Sequence, residues 1–230
     1  MKSYSRSMFD RKSTREYIAA DPSTRALSVA AVEASSYDNI ASVYDWTYGP
    51  ALHAGRLAAI KKLRLRPGDE VLEVGVGTGL NAALYPRFVA VTGIDVAEEM
   101  LEKAEQRLAA RDVRNVRLLQ MDAARLDFPD SSFDLVYAPY VINVVPDPVA
   151  VATEMHRVCR PGGSFVILNH FLSSNRFAAW IERLISPLTV HAGFKSDVDL
   201  SAFLAQAHLQ PSSIEKVGVL PIWTLITCAK

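Results

Sequence analysis

The sequence has few cysteines, no long apolar run and no net charge, and each absence excludes a class of protein. Two cysteines in 230 residues do not suggest a disulfide framework, and both stand in apolar contexts typical of core residues. The longest apolar stretch, residues 217–229, is too short to span a bilayer and is interrupted by Pro221. No apolar signal-peptide core follows the basic N-terminus. We therefore expect a cytoplasmic protein without a membrane-spanning segment.

Basic and acidic residues are equal in number, 25 of each, so no overall positive field favours a nucleic-acid partner. Charge is nevertheless uneven along the chain. The first 20 residues contain more bases than acids: Lys2, Arg6, Arg11, Lys12 and Arg15 against Asp10 and Glu16. Such a segment is either a loose terminal tail or a basic arm that contacts an anionic membrane surface. We expect residues 1–35 to form a basic helical arm and residues 36–230 to form one domain.

From residue 70 onward, apolar strand patterns alternate with helical patterns. Strands are predicted at residues 70–76, 88–95, 113–121, 133–137 and 164–168, and helices at 51–63, 98–110 and 147–159. This alternation predicts an α/β fold, with a parallel sheet covered by helices on both faces. Residues 198–208 then read as a helix. Residues 213–218 and 223–229 read as two strands joined by a short turn, which permits an antiparallel pair at one side of the sheet.

Residues 71–80 are the stretch around which the chain is organised. An apolar strand is followed by Gly75, Gly77 and Gly79, and then by residues 80–84, which look like the start of a helix. Glycines let a backbone approach a ligand closely and adopt positive φ. A strand, a glycine turn and a helix in this order predict a nucleotide-type site. The spacing is G-x-G-x-G, which differs from the G-x-G-x-x-G of dinucleotide sites.

Three further strand ends carry groups that suit such a ligand. Asp95 ends the second strand, where its two oxygens suit ribose hydroxyls. Asp122 follows the third strand, where an adenine amino group would lie, and Tyr140 follows the fourth. Each residue alone is also typical of a turn or a helix cap. Their occurrence at successive strand ends, which meet at one edge of an α/β sheet, favours a shared ligand site.

Five motifs together resemble those of the class I S-adenosylmethionine-dependent methyltransferases. They are E-V-G-V-G-T-G at residues 73–79, G-I-D at 93–95, M-D-A at 121–123, F-P-D-S-S-F-D at 128–134 and R-P-G-G at 160–163. The resemblance covers about residues 36–230. It implies a Rossmann-like, seven-stranded, mostly parallel sheet with an antiparallel last strand. It also implies S-adenosylmethionine as cofactor, S-adenosylhomocysteine as product, and no metal site.

The same resemblance implies roles for individual residues. Gly75, Gly77 and Gly79 approach the methionine portion, Asp95 holds the ribose, and Asp122 binds the adenine amino group. The full implied set of cofactor-binding residues is Tyr37, Glu73, Gly75, Gly77, Gly79, Asp95, Val96, Met100, Asp122 and Ala123. The pattern Y-D-x-x-A-x-x-Y-D at residues 37–45 resembles a cap that folds over the cofactor in quinone-biosynthesis C-methyltransferases and bacterial phospholipid N-methyltransferases.

The stretch after the fourth strand helps to separate these two subgroups. The quinone enzymes have an Arg-Asn pair there, whereas this chain has Ile142 before Asn143. The N6-adenine signature, a polar residue before Pro-Pro-Tyr, is also absent, since Ala138 precedes a single proline. The glycine motif, the cap and the basic arm together resemble the phospholipid enzymes, which methylate phosphatidylethanolamine stepwise towards phosphatidylcholine. This implies a monomer that is peripheral on the inner face of the cytoplasmic membrane.

The acceptor end of the site is predicted with less detail. Tyr44, Tyr140, Asn143 and His170 are expected at the amine, and Arg176 and Lys195 at the lipid phosphate. Residues 175–188 have an apolar helical face opposite charged residues, typical either of a helix packed on the domain or of a lid that contacts lipid. A quinone or other small-molecule methyltransferase and a non-catalytic cofactor-binding protein remain alternatives.

Overall fold

The computed structural model describes residues 49–171, 198–218 and 223–230, with side chains described from residue 55 onward. Within these ranges the helices are α1 (Gly49–Lys62), α2 (Glu98–Ala110), α3 (Pro148–Val158) and α4 (Leu200–Gln206). The strands are β1 (Glu70–Val74), β2 (Ala90–Asp95), β3 (Val116–Gln120), β4 (Phe133–Pro139), β5 (Cys159–His170), β6 (Ser213–Val217) and β7 (Trp223–Ala229). No helix of the described ranges is long and apolar enough to cross a membrane.

The strands form one seven-stranded sheet in the order β3-β2-β1-β4-β5-β7-β6. Strand β7 runs antiparallel to both of its neighbours, and every other pair is parallel. The predicted fold class is therefore confirmed. The C-terminal strands do pair with each other, but it is β7 that joins β5, so β6 forms the outer edge. From β1, the strands β2 and β3 are added on one side and β4 and β5 on the other. The carboxyl ends of β1 and β4 are therefore the topological switch point.

Helices cover both faces of the sheet because alternate strand residues point to opposite sides. On one face, Leu72 of β1 packs in a core with Met155 of α3 and Phe203 of α4. On the other face, Val71 packs in a core with Ile60 of α1. Helix α2 contacts β2 and β3. The switch point thus lies between two filled cores, which hold its backbone in place.

The local predictions have mixed outcomes. Asp147 caps α3, since its Oδ1 accepts hydrogen bonds from the amides of Val149 and Ala150 at 3.1 and 2.9 Å. The predicted helix at residues 80–84 is wrong, because only a three-residue 3-10 turn, Ala82–Leu84, forms there. The strand predicted at residues 164–168 is longer in the structure, because β5 begins at Cys159 and includes a bulge before Ser164.

The R-P-G-G motif shapes this bulge. Arg160 Nη1 donates to Asp134 Oδ2 at 2.6 Å, and a Cβ on Gly163 would lie only 2.6 Å from the Asp134 carbonyl oxygen. Asp134 Oδ2 also accepts from the Glu70 amide at 2.9 Å. Burial raises the pKa of Asp134, but these hydrogen bonds outweigh it and hold the pKa below the ordinary value. The motif therefore aligns β5, β4 and β1 at the end of the sheet opposite the predicted site.

Candidate active site

The glycine loop begins where β1 ends. Gly75, Gly77 and Gly79 have φ of +68°, +52° and +75°. A Cβ on Gly75 would overlap the Val141 side chain, and one on Gly79 would lie 3.0 Å from the Ala104 Cβ of α2. A Cβ on Gly77 would meet nothing within 4 Å. Gly75 and Gly79 therefore permit close packing of neighbouring elements, whereas Gly77 borders open space at the sheet edge.

Asp95, the last residue of β2, is joined to the glycine loop through its side chain. Its Oδ2 accepts from the Gly77 amide at 2.8 Å, and its Oδ1 accepts from the Ala97 amide at 3.0 Å. Burial raises the pKa of Asp95 above its ordinary value, while these backbone hydrogen bonds oppose the increase. A carboxylate oxygen can accept more than one hydrogen bond. Asp95 is therefore fixed in orientation and still able to accept ligand hydroxyl groups.

The other predicted residues at the β2 and β3 ends lie close to Asp95 along the sheet edge. Val96 is 44% exposed, and Met100 in the first turn of α2 is half-buried. Asp122 is exposed, and its Oδ1 accepts from the Ala124 amide at 2.8 Å, which orients the carboxylate just beyond β3. Ala123, between these two residues, is half-buried. The edge thus combines oriented acceptors with exposed apolar surface.

These features fit the adenosine portion of S-adenosylmethionine. The ribose needs acceptors for its hydroxyl groups, the adenine needs an acceptor for its amino group, and the ring needs apolar surface. Asp95, Asp122 and Val96 offer these three at adjacent strand ends, and the space beside Gly77 leaves room for a ligand. The sulfonium and methionine portions would then lie towards the glycine loop.

Glu73 lies beneath the loop in a group of buried polar side chains. It is 0% exposed, as is Tyr137 opposite it on β4, while Tyr85 and Asn81 are 4% and 5% exposed. Burial raises the pKa of Glu73 to about 7, and Tyr85, Asn81 and the positive charge of Arg56 oppose the increase. Among the described residues, Tyr85 and Asn81 lie near the Glu73 carboxyl group, but no group meets hydrogen-bond geometry at either of its oxygens. From the sequence, only Glu73 of this buried polar group could be identified, because Asn81, Tyr85 and Tyr137 come from other segments of the chain.

Tyr140 lies at the acceptor side of the edge, immediately after β4. Its φ is +62°, and its amide donates to the Leu168 carbonyl at 2.6 Å. Its ring meets Trp223 edge to face at 4.8 Å between centroids, and the Arg56 guanidinium lies 5.3 Å from its centroid. Burial raises the pKa of Tyr140 to about 12, although Arg56 opposes the increase. The phenol therefore keeps its proton at neutral pH.

Asn143 and His170, the other described residues predicted at the amine, are joined by a hydrogen bond. Asn143 is buried, and its Nδ2 donates to the His170 carbonyl at 2.9 Å. The partly exposed His170 ring lies edge to face with Trp223, with 6.2 Å between centroids. Sequence reasoning missed Trp223 because its place beside His170 follows only from the antiparallel register of β5 and β7.

The remaining predicted site residues are Tyr37, Tyr44, Arg176 and Lys195. They lie outside the described residues, as do the N-terminal arm and residues 175–188. Their roles stay predictions. The described ranges thus contain most of the predicted donor side, together with Tyr140, Asn143 and His170 on the acceptor side.

Comparison with known proteins identifies the family. Residues 72–167 match the family described as methyltransferase domain. The chain is also 41% identical over 170 residues to the phosphatidylethanolamine N-methyltransferase of Cereibacter sphaeroides, covering 74% of this chain and 83% of that protein. This chain belongs to the S-adenosylmethionine-dependent methyltransferases. The methyltransferase is 38% identical over 118 residues to the demethylmenaquinone methyltransferase of Geobacillus stearothermophilus, covering 49% of this chain and 50% of that protein.

A solved methyltransferase shares the fold at lower identity. The S-adenosylmethionine-dependent methyltransferase of Aquifex aeolicus is 19% identical, with a TM-score of 0.57 over 75% of this chain and 90% of that chain. Taken with the family match and the 41% identical relative, this confirms the predicted enzyme class and cofactor. When bound, S-adenosylmethionine supplies a methyl group activated by the sulfonium charge. The methyltransferase itself must orient donor and acceptor, and remove a proton if the acceptor is an amine.

Proposed function

We propose that this methyltransferase methylates the amine of phosphatidylethanolamine, and its monomethyl and dimethyl forms, towards phosphatidylcholine. The observation that carries the proposal is the 41% identity to a phosphatidylethanolamine N-methyltransferase across 83% of that protein. The alignment with the demethylmenaquinone methyltransferase reaches only 50% of that protein. The phospholipid enzyme therefore matches a larger share of this chain, 74% against 49%.

The residue before Asn143 adds support from the acceptor side. Ile142 stands where the quinone enzymes have an arginine, and it is 1% exposed within the core packed against α3. It therefore contributes packing and supplies no cation to an acceptor. This difference favours a phospholipid over a quinone.

An amine acceptor makes a specific chemical demand. It is an ammonium ion at neutral pH, and it must lose a proton before nitrogen can attack the methyl group. Tyr140 has too high a pKa to serve as the base, but its oxygen is suited to accept a hydrogen bond from the amine and orient it. His170 is the better base, because an imidazole ordinarily titrates near neutral pH. Asn143 acts as a positioning residue through its hydrogen bond to the His170 carbonyl.

The basic arm fits an acceptor that lies in a membrane. We propose that residues 1–35 form an arm distinct from the catalytic domain, and that the arm holds a monomer against the anionic inner face of the cytoplasmic membrane. Each Lys or Arg near such a surface contributes about 1 kcal/mol at most. Binding through the arm would therefore be weak, reversible and sensitive to salt.

The test of the acceptor uses methyl-labelled S-adenosylmethionine with three sets of vesicles. One contains phosphatidylethanolamine, one contains only phosphatidylcholine, and one contains phosphatidylcholine with demethylmenaquinone. We expect label in monomethyl, dimethyl and trimethyl lipids from the first set alone, separated by thin-layer chromatography. Label in the quinone with none in the lipid would replace the proposal with quinone methylation. Donor binding without transfer to either acceptor would refute both.

The test of the arm compares the full chain with a variant that lacks residues 1–20. Both are sedimented with anionic vesicles over a range of salt concentrations. We expect the full chain to bind at low salt and to dissociate as salt increases, and the truncated chain to bind less at low salt. Equal sedimentation of the two proteins would show that the segment is a tail without a membrane role.

A further inference from the structure

The buried group around Glu73 has a feature that the methyltransferase assignment leaves unexplained. A fully buried carboxylate normally accepts several hydrogen bonds or pairs with a cation, because burying a bare charge is very costly. Among the described residues, no group meets hydrogen-bond geometry at either oxygen of Glu73, although Tyr85 and Asn81 lie close enough to favour its charged form. The ionised form of Glu73 is therefore poorly stabilised before the donor binds.

Within the described residues, the groups that face Glu73 come from α1, from β4 and from the segment after the glycine loop. Arg56 projects from α1, Tyr137 from the neighbouring position on β4, and Asn81 and Tyr85 from the segment after the glycine loop. Arg56 is the one positive charge in this set, and it is also engaged with the Tyr140 ring. Its attraction does not outweigh burial, which raises the pKa of Glu73 to about 7.

Asp95, the other acidic residue on the donor side, has backbone hydrogen bonds that Glu73 lacks. Two backbone amides, of Gly77 and Ala97, donate to its oxygens at 2.8 and 3.0 Å. Those hydrogen bonds favour the charged form whether or not a ligand is present. Glu73, two residues before Gly75, receives no hydrogen bond from a backbone amide, and Tyr85, Asn81 and Arg56 favour its charged form without outweighing burial. A cation brought to the glycine loop would favour the charged form further.

We propose that Glu73 releases a proton when cationic S-adenosylmethionine binds, so that the carboxylate forms together with the bound sulfonium and favours the donor over its neutral-sulfur product. The donor carries a sulfonium charge that S-adenosylhomocysteine lacks. A carboxylate that ionises in its presence adds attraction to the donor alone. The step is balanced, since the proton leaves to solvent and the charge on Glu73 is compensated by the ligand. The proposal concerns the donor side, and it holds for any methyl acceptor.

The expected size follows from linkage. An opposite charge nearby lowers a carboxyl pKa by about 1 to 3 units. A decrease of one unit, from a pKa of about 7, releases about 0.4 proton at pH 7 and makes donor binding about fivefold weaker at pH 6 than at pH 8. The preference for donor over product should increase by about the same factor across this range.

The first test measures donor binding by isothermal titration calorimetry, at several pH values and in buffers of different ionisation enthalpy. Wild type is compared with Glu73→Gln, which fixes the side chain as neutral, and with Glu70→Gln, which removes an exposed carboxylate from the same strand. The donor's own amine titrates equally in all three proteins, so only differences between them count. We expect Glu73→Gln to lose the additional proton release and the pH-dependent preference, and Glu70→Gln to keep both. Equal proton release in wild type and Glu73→Gln would overturn the proposal.

The second test reads the carboxyl group in the wild-type protein and does not depend on a variant that folds. Infrared difference spectra are recorded near pH 6.5 with isotope-labelled glutamate, before and after addition of S-adenosylmethionine. A buried, protonated carboxyl band should disappear on donor binding and persist with S-adenosylhomocysteine. A band that persists with both ligands, or that disappears equally with both, would contradict the proposal. Either outcome would leave the methyltransferase assignment intact.

Discussion

Replacing Gly75 with alanine tests whether the glycine loop is held by close packing against the segment after β4. The substitution forces alanine into a left-handed conformation at φ +68° and places its Cβ inside the Val141 side chain. The conformation costs about 1–2 kcal/mol, and relief of the overlap costs about 1–3 kcal/mol more. We therefore expect Gly75→Ala to lower the free energy of unfolding by about 2–5 kcal/mol.

Two further variants separate these contributions. Gly68 also has positive φ, at +89°, but a Cβ there would meet nothing within 4 Å, so Gly68→Ala should cost about 1–2 kcal/mol. Val141→Ala removes the obstructing methyl groups and by itself should cost about 1.6 kcal/mol, from about 0.8 per buried methylene. The double variant Gly75→Ala/Val141→Ala should then be at least about 1 kcal/mol more stable than the sum of the single effects predicts.

The measurement is urea unfolding followed by circular dichroism and by tryptophan fluorescence. Coincident transitions with unchanged m-values would license comparison of the free energies of unfolding. Equal destabilisation by Gly75→Ala and Gly68→Ala, together with additive effects in the double variant, would refute the close-packing argument. The role of Gly75 would then be conformational only.

Two other substitutions on the donor side have distinct signatures. Gly77→Ala should cost only about 1–2 kcal/mol of stability, yet weaken S-adenosylmethionine binding about tenfold or more in calorimetry, because its Cβ would enter the open space at the loop. Glu73→Gln should stabilise the ligand-free protein at high pH. The folded-state pKa of about 7 lies above the ordinary 4.5, so wild type loses stability as pH increases through this window. The variant should exceed wild type by up to about 3 kcal/mol at pH 8 and by little at pH 4.5 in urea unfolding. A difference in unfolding free energy between the variant and wild type that does not change with pH would exclude titration of Glu73.

Strongly periodic segments could be predicted from the sequence. Helix α2 and strand β7 have the predicted bounds, since α2 has a clear amphipathic pattern and β7 is an apolar run between breaks. The aspartates at the β2 and β3 ends were also predictable, because parallel strands place their carboxyl ends at one edge. The ending of residues 80–84 as a three-residue 3-10 turn was not, since a short apolar run after the glycines does not distinguish a single turn from the start of a helix.

The features that escaped prediction depend on contacts between distant segments. Tyr137 becomes a neighbour of Glu73 only when β1 pairs with β4, and Tyr85 only when the segment after the glycine loop packs back against β1. Trp223 reaches His170 only through the register of β5 and β7. The bulge in β5 likewise follows from Arg160 and its hydrogen bond to Asp134 on the adjacent strand. No local pattern contains this information.

The two sides of the candidate site also differ in how they relate to the family. The glycine loop and Asp95 lie within residues 72–167, the range that matches the methyltransferase domain. That range ends before His170 and Trp223, which come together at the ends of β5 and β7. Most of the predicted donor-binding residues therefore lie within the shared range, whereas His170 and Trp223, on the proposed acceptor side, lie beyond it. We expect Trp223→Leu to reduce methyl transfer to phosphatidylethanolamine, because it removes the ring beside Tyr140 and His170. The affinity for S-adenosylmethionine in calorimetry should stay within about twofold of wild type, since the aromatic contacts of that ring are to Tyr140 and His170 on the acceptor side. A parallel loss of donor affinity would mean that the two sides act as one packed unit.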